Sequence, residues 1–98
     1  MTAHLIGFLR AIKDPDRMAA YRAVAVDALA KHGGSIVVPP SPPERIEGDA
    51  EAPNAFVLLS FPTAEAARAW RDDPALAPVH AMRHAGADIS FFMVSKAG

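Results

Sequence analysis

The stretch Asn54-Ala55-Phe56-Val57-Leu58-Leu59-Ser60-Phe61 is apolar on both alternating sets of positions and rich in β-forming residues. That is the pattern of a central strand covered on both faces. Pro62-Thr63 follows directly, and the threonine can cap a helix with Glu65 in its first turn and alanines carrying it to about Arg71. Asp72-Asp73-Pro74 breaks this helix. A second helical piece is expected from Pro74 or Pro78 to Ala85, ending at Gly86, before a strand over Ile89–Ser95.

Towards the N-terminus, His4 to Ile12 is mostly apolar, too short for a stable isolated helix, and stopped by Asp14-Pro15. This predicts a strand followed by a helix that Asp14 caps and Pro15 opens, running to about Lys31. Met18, Tyr21, Ala25, Ala28, Leu29 and His32 fall at three- and four-residue spacing, one stripe facing the sheet. Gly33 ends the helix, Gly34 turns the chain, and Ser35–Val38 is a strand. Pro39 to Pro53 holds five of the nine prolines without periodicity and predicts a long loop, either a pocket lid or a plain excursion between strands.

The resulting order is β-α-β-β-α-β in an α+β, ferredoxin-like domain spanning 1–98, with helices on one face of a four-stranded antiparallel sheet. A domain of 98 residues with one sheet face uncovered needs a partner for that face, which favours a homodimer. Ten basic and eleven acidic residues, without a basic cluster, speak against nucleic acid and anionic membranes as partners. No apolar run approaches the roughly 20 residues of a membrane helix, so the expected location is cytoplasmic. The absence of cysteine excludes disulfides, thiolate metal sites and cysteine nucleophiles.

Several short stretches together resemble the family catalogued as domain of unknown function thirteen-thirty, a branch of the dimeric α/β-barrel superfamily. They are Tyr21-Arg22, His32-Gly33-Gly34, Glu47-Gly48, Phe61-Pro62, Ala64-Glu65-Ala66-Ala67-Arg68-Ala69-Trp70, Asp73-Pro74 and Arg83. The resemblance implies a ferredoxin-like protomer whose sheet packs on a second copy. It implies no established activity, since the wider superfamily holds monooxygenases, heme-degrading enzymes and non-catalytic binding modules on one scaffold.

Arg83 matches that pattern and lies among Met, Ala and Val, where it can hold a carboxylate or phosphate; the alternative is a structural ion pair with Glu47 or Asp88. Tyr21 and Trp70 are candidate ligand contacts or core anchors, and Asn54 is a polar point on an apolar strand, suited to a pocket wall or a dimer interface. His32 at a helix C-terminus reads as a cap or as a proton-transfer group at a pocket mouth. His80 and His84 lie one turn apart, a spacing that suits two metal ligands, but without a third they read as exposed rim histidines, and no metal or cofactor is expected. The function expected is a homodimeric small-molecule-binding protein, or a cofactor-independent enzyme acting on a small organic acid or aromatic compound. The alternatives are a non-catalytic dimerisation or interaction module and, third, heme or metal binding through a histidine.

Overall fold

The computed structural model describes residues 2–95. Its elements are β1 (Ala3–Ile12), α1 (Pro15–Ala30), β2 (Ser35–Ser41), β3 (Ala55–Phe61), α2 (Ala64–Asp72), a 3₁₀ turn (Pro74–Leu76), α3 (Ala77–Gly86) and β4 (Ala87–Ser95). The strands form one antiparallel sheet in the order β2-β3-β1-β4. A Cα envelope of 40 × 38 × 17 Å is the thickness of one sheet and one helical layer.

Local chemistry sets the element ends. The Asp14 carboxylate accepts from the amides of Asp16 and Arg17 at 3.1 and 3.2 Å, and Pro15 takes the first helical position. At the other end of α1, Gly34 N–H donates to Leu29 and Gly33 N–H to Ala30, a Schellman closure with Gly33 at φ 75°. Thr63 Oγ1 accepts from the Ala66 amide to cap α2. The strand expected to stop at Val38 continues through Pro39 and Pro40 to Ser41. Proline is tolerated there because β2 is an edge strand and its register against β3 shifts on both sides of Val38. The long connection therefore begins at Pro42, and it is held in shape by Arg45, whose guanidinium donates to the carbonyls of Gly48 and Ala50, both at 2.6 Å.

One parity of the sheet faces the helices. Leu5, Val57, Leu59 and Phe61 pack there against Ala28, Leu29, Ala67, Trp70 and Leu76. The other parity stays open and apolar: Ile6 lies between Leu58 and Phe92 in register, and the Phe8 ring meets Phe56 edge-on at 4.9 Å. Phe92 and Val94 are 55% and 57% exposed there. β3 is thus apolar on both parities while only one is covered within the chain.

The helical layer is closed at one tight point. α1 packs chiefly on α3, and at Gly86 a Cβ would stand 2.7 Å from Met18 Cγ and 2.9 Å from Met18 N. The Gly86 carbonyl also accepts from the amides of Lys13 and Asp14, tying the start of α1 to the end of α3. Gly86→Ala is therefore expected to cost about 1–3 kcal/mol by overpacking. Thermal unfolding would read this as a Tm lowered by roughly 4–8 °C per kcal/mol, and an unchanged Tm would contradict so close a helix contact.

Candidate functional site

Arg83 sits on α3 with only 1% of its surface exposed. Its guanidinium carbon lies 5.2 Å from the Trp70 ring centre, 5.3 Å from Phe91 and 5.7 Å from Tyr21. Such cation–π contacts lower the cost of burying a charge without neutralising it. The structural ion pair with Glu47 or Asp88 is not formed, and among the described residues no carboxylate lies within ion-pair distance of Arg83.

One turn earlier on α3, His80 is 3% exposed and holds the guanidinium in place. Arg83 Nη1 stands 2.8 Å from His80 Nδ1, and His80 Nε2 stands 2.9 Å from the Trp70 carbonyl. A guanidinium can only donate, so Nδ1 must accept, and the proton must sit on Nε2 to serve the carbonyl. The network therefore requires one neutral tautomer. Burial pushes the His80 imidazole below its usual range, against the raising effect of the Trp70 carbonyl and with help from the positive Arg83 and Arg71. The reading of His80 as an exposed rim residue is thus corrected: its i,i+3 spacing to Arg83 is what matters, and both ring nitrogens are committed. Among the described residues no group of three His, Asp or Glu is placed to hold a metal.

Beside this cluster a cavity of about 440 Å³ opens between α2, α3 and the inner parity of β1 and β4. Leu5, Ile89, Phe91 and Met93 give apolar walls, Trp70 and Arg83 form its buried part, and Arg68, Arg71 and His84 line it from exposed positions. Two buried donors there have no partner, Arg83 Nε and Trp70 Nε1. Orphaned donors in a core are rare and costly. Burial, then the charges of Arg83, Arg71 and Lys13, keep the His84 imidazole below its usual range.

The expected site residues divide into two groups. Arg83, Trp70 and Tyr21 come together, although Tyr21 touches the guanidinium and is not part of the cavity lining. His32 does not join them. Its Nε2 lies 2.8 Å from Asp73 Oδ2, which Lys31 also meets at 2.7 Å. These partners hold the Asp73 carboxyl well below the usual carboxylate range and pin the end of α1 to the α2–α3 junction. Asn54 is exposed and donates to the Arg10 carbonyl, where β1 shifts register against β4. The Pro42–Asn54 connection contributes no cavity residue, as a plain excursion between strands would not. Ile89, Phe91 and Met93 are not legible as cavity residues because the strand parity that brings them there depends on which face the helices cover, and His84 reads in sequence only as a rim histidine.

A family model described as Domain of unknown function (DUF1330) matches residues 2–97. No curated protein matches the chain. Among solved structures, the RPA0582 protein of unknown function from Rhodopseudomonas palustris is 17% identical, with 99% of this chain and 83% of that chain covered at a TM-score of 0.71. A dimeric ferredoxin-like protein of unknown function from Jannaschia sp. CCS1 is 16% identical over 98% of this chain and 100% of its own, TM-score 0.70. SnoaB, a cofactor-independent oxygenase from Streptomyces nogalater, is 14% identical over 99% and 93%, TM-score 0.60. At these identities the likeness is one of fold, and that fold is ferredoxin-like.

A histidine with a lowered folded-state value binds its proton more readily in the unfolded chain, so stability is present above the ordinary value of 6.5 and is lost as pH falls below it. The Tm is expected to drop between neutral pH and pH about 5.5. His80→Gln should flatten part of that slope, leaving the His84 share; an identical slope in wild type and variant would refute the neutral, hydrogen-bonded His80.

Proposed function

We propose that this chain, which belongs to the DUF1330 family of domains of unknown function, is a homodimeric protein that binds a small organic acid with an apolar or aromatic body. The observation carrying this reading is Arg83: a buried cation without a counter-charge, beside a cavity, with its Nε and Trp70 Nε1 both lacking acceptors. A carboxylate entering the cavity would supply the missing charge, and a small opening of the wall over Arg83 and Trp70 would bring the two shielded donors within its reach. The walls of Leu5, Ile89, Phe91 and Met93 suit an apolar body, and about 440 Å³ falls within the range of small-molecule pockets.

The dimer is supported by the open apolar parity of the sheet and by the dimeric state named for the Jannaschia protein. A second reading, a cofactor-independent reaction on the same acid, is favoured by His84, a base kept neutral on the cavity wall. That SnoaB, a protein of similar fold, is a cofactor-independent oxygenase supports this second reading. In this reading His84, and not His32, would take the proton.

A thermal-shift screen of the purified chain against small aliphatic and aromatic acids tests the proposal. A ligand at 100 times its dissociation constant stabilises by about 2.7 kcal/mol. Arg83→Met is expected to abolish the shift while leaving the ligand-free Tm equal or higher, because it removes an uncompensated buried charge. A ligand-free Tm that collapses, with shifts retained in whatever folds, would assign Arg83 to structure and favour a plain interaction module. Sedimentation should give a dimer that Phe92→Lys dissociates.

A further inference from the structure

We infer that the ligand of this cavity is a dicarboxylic acid on an apolar frame, one carboxylate answering the buried charge of Arg83 and the other reaching Arg68 and Arg71 on the α2 side. This rests on the acid-binding reading above and adds the charge and shape of the acid.

The argument is a count of charges around one space. Three arginines line the cavity, and no Asp or Glu does. Among the described residues none of the three is in an ion pair, the pairs present being Arg17–Asp14, Lys31–Asp73 and His32–Asp73. The whole chain has a formal charge of −1, so this positive region is made by segregation and not by an excess of cations. Four of the acids, Glu44, Glu47, Asp49 and Glu51, lie on the connection that contributes nothing to the cavity. Lys13 adds to the same field, since its charge helps depress His84.

One carboxylate answers Arg83 and leaves two cations over. Arg68 and Arg71 are one turn apart on α2, on exposed positions flanking the buried Trp70. Apart from Ser90 and His84 the rest of the lining is apolar, with Leu5, Ala67, Ile89, Phe91 and Met93, so a frame that needs few hydrogen bonds suits the space between the two acidic groups. Charges lining a cleft with low-dielectric walls focus their field into it, which raises the advantage of a doubly charged ligand over a singly charged one.

The test is calorimetric titration of the full chain at low salt with two matched pairs, benzoate with terephthalate and hexanoate with adipate. In the pair whose frame fits, the dicarboxylate is expected to bind about fivefold tighter or more. That preference should shrink as added salt shortens the Debye length from about 10 Å towards 3 Å. The Arg68→Gln/Arg71→Gln double variant should weaken both acids of a pair but the dicarboxylate more, so that the preference is lost. Equal affinities within both pairs, or a preference that survives in the double variant, would overturn the dicarboxylate assignment while leaving acid binding intact. No binding by any of the four acids would overturn both.

Discussion

A guanidinium buried without a counter-ion has to be held by weaker forces than an ion pair, and the helical layer is arranged around that need. Three aromatic rings supply negative faces to Arg83, and His80 supplies one acceptor while its other nitrogen is occupied by the Trp70 carbonyl. Trp70 therefore acts through three different parts: its ring supports the cation, its carbonyl orients the histidine and its indole N–H stays unpaired. The histidine can do its part only while neutral, so the geometry of the site and its protonation state are one constraint. Buried charges of this kind cost several kcal/mol even after relaxation, which is why such an arrangement points to a ligand and not to stability.

The sheet carries the same asymmetry between its two sides. β3 is apolar on both parities, but the helices cover only one, leaving Phe8 edge-on to Phe56 and tilted against Phe92 towards the open side. The cavity belongs to the covered side, and the open aromatic surface belongs to the other. A substitution at Phe92 and one at Arg83 thus act on opposite faces of a layer only one sheet thick, and their effects on assembly and on binding should be separable.

Most of the architecture is legible in the chain because its signals are local. Asp14-Pro15, Gly33-Gly34 and Pro62-Thr63 act through hydrogen bonds within a few residues, and the elements they bound stand close to where the spacing puts them. The exceptions have non-local causes. β2 runs through two prolines because it lies at the sheet edge, a position that no short window reveals. The site is half legible for the same reason. Arg83, Trp70 and Tyr21 converge, but His32 is claimed by Asp73, 41 residues away, and Asn54 by the Arg10 carbonyl, 44 residues away. His80 reads as exposed in sequence because no third metal ligand stands near its pairing with His84, while its burial comes from Trp70 on another helix, whose ring stands 4.7 Å from its own.

The two prolines of β2 leave the sheet with unequal margins. Pro39 and Pro40 have no N–H to offer, and since neighbouring N–H groups point to opposite sides of a strand, one of the two leaves the free edge a donor short for an incoming strand. β4, the opposite margin, holds no proline over its nine residues. Growth by strand addition is therefore disfavoured in one direction, and two copies that paired through β4 would present only their proline margins outward, which works against propagation of the sheet into a fibre.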